Sequence, residues 1–535
     1  MRTMYCGHAS FRMADGGLSV LVDPWFSATG AFLGSWCQFP DNSGLDLDAL
    51  RHSDVVLISH DHQDHFDLDF LRTLSAATTV VVPRYHDTYL ADTLRRELPN
   101  RVIRIEDREP FSLGRDINVT PVIQSVPIWD DCAFIIQSPT QTILDLNDLK
   151  IPEADLAWVA ENFEIDCLLL QYSGANWHPR VYDYPPAKKH ALARRKILTK
   201  YRSVANVVEA LNPELVIPCA GPPCFLDDEL FDLNFSNHSI FPGADDFYRF
   251  ARAEGFAERV RILMPGDEII PGRRGQELTE HNLELPPYSN RREYLESYRE
   301  RRLPVLKDHL AAIAEPVGPL LGRFVDRMSP LVLANRWLAE RIGGGILIET
   351  TGPDPEQIFV DFGDRATPVR RYAGEAWTYR VRSDRRFLNE ILENRLRWEE
   401  LLLSMRVELS REPDVYNEPL IVFLRFADAS QFERFEAYEK TKEANDRFRL
   451  EHGGRSLMVQ RTCPHAGGDL SKGRVEDDFI VCPGHGWRYS LLDGSSSHPG
   501  YSISVTEVSD WDTKPTPELR PPSSGTDRRY DVVRR

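Results

Sequence analysis

The amino-acid sequence predicts an α/β layered domain at the N-terminus, a helical and α+β middle region, and a small all-β module at the C-terminus. Three observations carry that reading. Short apolar runs alternate with helical stretches through the first 275 residues, and a helical pattern takes over near residue 285. Two loops near the other end, "CPHAGGDL" and "CPGHGWRY", each pair a cysteine with a histidine. At 535 residues the chain is too long for one core.

The first 275 residues contain "LSVLVDPW", "DVVLISH", "TTVVVP", "CAFIIQ", "TILDL", "DCLLLQYSG" and "ELVIPCAG". Each is a short apolar run ending in Gly, Pro, Asp or His, the pattern of a buried strand with a loop at its mouth. Residues 276–344 read as a helical segment closed by the stop signal "IGGG". Residues 345–432 mix strands such as "GILIET" and "QIFVDF" with the helix "RFLNEILENRLRWEELLLSM", a small α+β domain read as a spacer. Residues 433–510 hold a charged helix and the Cys/His module. Residues 511–535 are polar and Pro-rich, and are expected to form a disordered tail.

The net charge of −18 argues against a nucleic-acid surface and against a polybasic membrane anchor. No apolar run approaches the roughly 20 residues that span a bilayer, and the N-terminus lacks the pattern of a secretory signal. Eight cysteines spread over the whole length fit a reducing compartment, so a cytoplasmic protein is expected.

In "LISHDHQDHFD" the spacing is His-x-His-x-Asp-His, from His60, His62, Asp64 and His65. Such a crowd of titratable groups costs desolvation energy unless something pairs with it. His60 and His62 leave a strand end, and Asp64 and His65 are expected at the start of a helix. The spacing suits two adjacent metals, with two imidazoles on one and Asp64 plus an imidazole on the other. The bland alternative is a solvated, helix-capping acidic loop. The pattern resembles the metallo-β-lactamase superfamily signature. "GHASFRMADGGLSVLVDPWF" resembles the first hairpin of the lactonase- and phospholipase-like branch, and "QTILDLND" sits where that fold supplies an aspartate, here Asp145. The resemblance covers roughly residues 1 to 275 and implies an αββα sandwich.

Hydrolytic members carry further histidines after the runs "INVTPVIQSV" and "ELVIP", where this chain reads "PIWDDCAF" and "CAGPPCF". His8 and His178 are the ranked substitutes, with Asp130 and Asp131 as oxygen donors; His52, His86, His190, His238, His281 and His309 read as surface residues. A site poorer in imidazole and richer in carboxylate suits non-haem iron, one or two ions, at least as well as zinc.

Cys463 and His465 are separated by 16 residues from Cys482 and His485. A structural zinc is the plainer reading, but zinc fingers pair like with like. One Cys and one His per loop, repeated, is the Rieske arrangement, two thiolates on one iron and two imidazoles on the other of a 2Fe–2S cluster.

The two motifs together resemble the cytidine monophosphate-N-acetylneuraminic acid hydroxylase family, with the domain order inverted. The resemblance implies an iron-dependent monooxygenase. NAD(P)H passes electrons through a separate reductase, ferredoxin or cytochrome to the cluster, and the cluster reduces the N-terminal iron. The expected substrate is a polar small molecule such as a nucleotide-sugar or a related biosynthetic intermediate, with Arg180, Lys188 and Lys189 as candidate anion contacts. Two other classes stay open: a zinc hydrolase of a phosphodiester or lactone with a regulatory Rieske module, and a metal-free scaffold. The middle region faintly resembles a sterol-carrier-like domain.

Overall fold

The computed structural model describes all residues except 127–128, 238, 271–277, 280–286, 465–467, 484–485, 498–500 and 509–535. Of residues 129, 278–279 and 442–445 it describes the backbone alone. The expected disordered tail, His238, His281 and both cluster histidines, His465 and His485, therefore lie outside the described residues. Met1–Glu436 forms one compact unit and the chain from Ala437 onward a second. Among the described residues no helix is long and apolar enough to cross a membrane.

The N-terminal part is built on two sheets. The eight-stranded one runs, edge to edge, through Leu278–Thr279, Glu268–Ile269, Arg2–Gly7, Ser10–Asp15, Leu18–Val22, Val55–Leu57, Thr79–Pro83 and Arg101–Ile105. The six-stranded one runs through Leu215–Cys219, Cys167–Gln171, Gln141–Asp145, Trp129–Ser138, Ile117–Val126 and Phe111–Gly114. Their inner faces share one core, in which Val20, Val56 and Val80 meet Phe134, Ile136 and Ile217. Strand alternation explains the layering. Phe134 and Ile136 point into that core, while Ala133 and Ile135 point outward under the helices Glu153–Asn162, Pro186–Leu211 and Ala244–Glu254. This is the αββα sandwich that the sequence predicts.

The middle region does not stand by itself. Its sheet, in the order Val369–Arg371, Gln357–Asp361, Gly345–Thr351, Tyr379–Asp384 and Val407–Arg411, is covered by Leu321–Ala334 and Arg385–Leu392. The core beneath it, including Ile346, Ile358 and Val381, continues into Trp25, Phe32 and Trp36 of the N-terminal loops. Trp25 and Trp36 are fully buried, each contributing on the order of 2–3 kcal/mol of hydrophobic stabilisation. The Trp36 Nε1–H donates to the Leu403 carbonyl at 2.9 Å. Residues 345–432 thus lean on the first domain's loop face, where the metal motif sits.

Among the described residues the C-terminal unit has two three-stranded antiparallel sheets. Arg447–His452, Arg455–Gln460 and Val505–Glu507 form one, and Arg474–Glu476, Phe479–Val481 and Arg488–Ser490 the other. Leu457, Val459, Leu470, Ile480 and Tyr489 fill its core together with Cys463 and Cys482.

Candidate metal centre

The strand Val55–Leu57 ends at a buried Ser59, and the next six residues carry the motif. Asp64 and His65 do not start a helix, as their spacing predicted. They sit in a tight turn in which the amides of His65 and Phe66 both donate to the His62 carbonyl. The helix Leu68–Leu71 begins later, because Asp67 is its N-cap and accepts from the Phe70 amide at 3.1 Å. The other Asp67 oxygen accepts from the amides of Phe26 and Ser27 at 2.8 and 2.7 Å, tying the "DPWFS" loop to the motif.

Four histidines and two aspartates converge. His60 Nε2 and His62 Nδ1 lie 2.9 Å apart, the separation of two ligand atoms facing one point. His8 Nε2 lies 3.0 Å from Asp64 Oδ2. His65 Nε2 lies 3.3 Å from Asp148 Oδ1 and 3.8 Å from Asp64 Oδ2. Two compact groups of donor atoms result, His60 with His62 and Asp148, and His8 with Asp64 and His65. Asp23 also groups with His60 and His65, but its oxygens are taken: it accepts from the Ser59 amide at 2.7 Å and faces His65 Nδ1 at 2.8 Å.

A divalent cation fits these residues. His65 Nε2, Asp64 Oδ1 and Asp148 Oδ1 are buried without a hydrogen bond, a costly state for polar atoms that nothing coordinates. Asp23 behind His65 is the carboxylate–histidine arrangement that fixes a metal-binding imidazole's tautomer. Backbone strain points the same way. His8 has φ 53° after Gly7 at φ 103°, a left-handed pair in which a non-glycine residue is held against its preference. A Cβ on Gly7 would meet Asn42 Nδ2 at 3.0 Å, and that amide donates to the carbonyls of Cys6 and Trp25.

Electrostatics separates the histidines. Burial opposes charge on His65, but Asp148 and Asp64 outweigh it and hold its pKa well above the ordinary range. Burial, with His65 and His62 nearby, drives His60 well below that range. Burial pushes Asp64 up, yet His65 and His8 bring it down to about 2. Asp148 is likewise held below the carboxylate range by His65 against its burial.

Asp145 and His178 are not brought into these groups. Asp145 is fully buried at the end of its strand, where it accepts from the Asn147 amide at 3.1 Å; burial and the Asp23 charge push its pKa well up. The donor atoms gather on Asp148 instead, because the chain turns after the strand ends at Asp145. His178 packs its ring on Tyr182 and Tyr184, with centroids 5.3 and 6.0 Å away. Asp131 Oδ1 approaches His60 Nδ1 to 3.9 Å, and Asp130 accepts from Ser125 Oγ at 2.6 Å. Lys188 pairs with Asp414, and Lys189 donates to the Arg180 carbonyl. His52, His86 and His190 are exposed.

The sequence reading missed Asp148, Asp23 and a third set from the middle region. Glu399 Oε1 lies 3.6 Å from His62 Nε2 and is paired with Arg425 at 2.9 Å. Burial raises the Glu399 pKa, but Arg425 and His62 bring it down to about 2, so it is ionised. Arg397 pairs with Asp61 at 2.5 Å, and Glu400 accepts from Gln63 Nε2 at 2.9 Å. "VDPW" and "LND" carried a signal for the aspartates; nothing in "RWEELL" did.

In the C-terminal unit Cys463 and Cys482 are each 1% exposed. The Cys463 amide donates to Gly468 O and the Cys482 amide to Trp487 O, so both thiols sit at loop bases. Tyr489 Oη lies 3.1 Å from Cys463 Sγ.

Comparison with known proteins agrees with these folds. A Beta-lactamase superfamily domain matches residues 19–219, and a Rieske 2Fe-2S domain matches residues 431–502. A protein of Mycolicibacterium smegmatis described as a Rieske 2Fe-2S iron-sulfur protein is 30% identical over 526 residues, spanning 92% of this chain and 97% of its own. A UPF0173 metal-dependent hydrolase of Caldivirga maquilingensis is 26% identical over 271 residues, 50% of this chain and 96% of its own. The aminopyrrolnitrin oxygenase of Pseudomonas fluorescens is 35% identical over 81 residues, 15% of this chain and 21% of its own.

Proposed function

Because the chain belongs to the family of the mycobacterial Rieske 2Fe-2S iron-sulfur proteins, we propose that it is an oxidoreductase, a monooxygenase acting on a polar small molecule. The observation that carries this is the pairing, in one chain, of an electron-carrying Rieske module with a candidate metal centre of four histidines and two aspartates. A hydrolytic metal pair needs no electrons, whereas a non-haem iron must be reduced before it meets oxygen. Likeness of the C-terminal module to part of an oxygenase supports the same reading.

The chain's own residues have defined tasks. Cys463 and Cys482, with His465 and His485 of the two loops, hold the 2Fe–2S cluster. His60, His62 and Asp148 would hold one metal, and Asp64, His65 and His8 the second; iron bound there would supply oxygen activation. Asp23 keeps His65 Nδ1 protonated, so that Nε2 faces Asp148. Glu399 steadies His62 from its far nitrogen. Electrons come from a separate reductase, ferredoxin or cytochrome fed by NAD(P)H.

A hydrolase reading has one support, the likeness of the N-terminal half to a metal-dependent hydrolase. Isotope labelling separates the two. With reductase and NAD(P)H, oxygen from ¹⁸O₂ is expected in the product. Label arriving only from H₂¹⁸O, at a rate indifferent to reductant, would overturn the oxygenase and establish water activation instead.

A further inference from the structure

We propose that a cavity of about 560 Å³ beside the metal motif is the substrate site, and that Arg327 and Arg434 recognise an anionic group, phosphate or carboxylate, on that substrate. The assignment rests on the reading that chemistry occurs at the N-terminal metal centre.

Position is the first argument. Asp61, which lies between His60 and His62 in the chain, and Asp130, which precedes Asp131, both line the cavity. A molecule held there borders the loop that carries the metal ligands. The size suits a small molecule, since such sites run from about 300 to 1,000 Å³.

Lining chemistry is the second. Tyr89, Trp398 and Phe426 supply apolar wall. The acidic groups are committed to donors of the protein. Asp61 is paired with Arg397, Asp130 accepts from Ser125, Asp87 accepts from Gln431 and the Tyr89 amide, and Asp428 accepts from Ser430. Arg425 is neutralised by Glu399. Arg327 and Arg434 differ. Both are half-buried and donate to neutral amide oxygens, of Asn394 at 2.6 Å and Gln431 at 3.0 Å. Asp428 lies near enough to Arg327 to feel its charge, yet neither guanidinium is closed off by an ion pair among the described residues. Two half-buried guanidinium groups held in place by amides are suited to an incoming anion, which gains charge-assisted hydrogen bonds at little ordering cost.

The arrangement also gives the middle region a task. Arg327 lies on the helix Leu321–Ala334, Arg434 on Ala429–Asn445, and Trp398 begins the helix Trp398–Leu403. The first domain provides the metal ligands and part of the wall, and the chain from Arg327 to Arg434 provides the rest of the wall with the two arginines.

The test is calorimetric titration of the full-length, metal-loaded protein with phenyl phosphate, an aromatic ring bearing an anion. Phenol, with the same ring and no charge, and phenethylamine, a cation, are the controls. Arg327→Gln and Arg434→Gln should each weaken phenyl phosphate binding about tenfold or more and leave phenol unchanged. Cluster absorption and metal content must stay at the parent level in both variants, and Arg→Lys at either position should restore part of the affinity.

Equal binding of phenyl phosphate by parent and double variant would overturn the assignment. So would preference for phenethylamine, or binding lost with His60→Ala and kept without the arginines, because the anion would then sit on the metal. No turnover is involved, so such a failure leaves the oxygenase reading standing. Product oxygen derived from water would sink the oxygenase reading and leave the anion site intact.

Discussion

Asp148 and Asp145 are three residues apart, and the structure gives them opposite characters. Asp148 is held ionised by His65 and groups with His60 and His62, whereas Asp145 is kept neutral by burial. Asp148→Asn is therefore expected to remove at least one metal equivalent from the N-terminal centre, while Asp145→Asn leaves metal content unchanged. Elemental analysis beside cluster absorption checks both. His65 sets a pH dependence. Its raised pKa means that a proton competes with metal, so affinity should rise with pH, about tenfold per unit, until that pKa is passed. The sign for stability is the reverse. In metal-free protein the protonated ring, paired with Asp148 and Asp64, contributes fully below the ordinary value of 6.5 and is lost as pH climbs through the raised one. Metal titrations and thermal melts across pH 5 to about 9, the range spanning the ordinary imidazole value, test the two trends.

At the scale of elements, the helix Trp398–Leu403 and the residue before it clamp the metal loop. Arg397 holds Asp61, Glu399 faces His62, and Glu400 takes Gln63. Outer partners of metal-binding histidines typically contribute about 10- to 100-fold in affinity. Glu399→Ala should accelerate metal loss to a chelator within that range, and Glu399→Asp should recover part of it. A role confined to packing would lower stability without changing the dissociation rate. Arg397→Met leaves Asp61 without its partner, and because both groups are partly exposed the expected cost is about 1–2 kcal/mol, read by denaturant unfolding.

Taken whole, the chain has two compact units with separate cores. Calorimetry should resolve two transitions, and stripping the N-terminal metal should lower only the one belonging to Met1–Glu436, since a ligand stabilises the unit that binds it. His60→Ala should abolish activity while leaving the 2Fe–2S absorption intact. His465→Ser or His485→Ser should change that absorption and leave N-terminal metal content as it was.

By itself the sequence determined what local pattern encodes. Buried strands appear as short apolar runs closed by breakers, and "SHDHQDH" placed four ligand candidates just past a strand end. The spacing of Cys463, His465, Cys482 and His485 named the module because cluster geometry allows few spacings. His8 was reachable as well, since only eleven of the fifteen histidines lie ahead of the C-terminal module and the candidates can be enumerated. Tertiary structure alone decided the rest. Which aspartate of "LDLND" meets the imidazoles depends on how the chain leaves the strand, so Asp148 gathers with them and Asp145 stays buried at the strand end. His178 was drawn away by Tyr182 and Tyr184, whose rings offered it apolar contact. Glu399 and Arg397 come from the stretch 345–432 whose sequence reads as a spacer, and Arg327 and Arg434 from the helices on either side of it. Glu399 and Arg397 reach the metal loop, and Arg327 and Arg434 the cavity beside it, because Trp25, Phe32 and Trp36 must bury apolar surface, and the sheet of residues 345–411 is the surface that covers them.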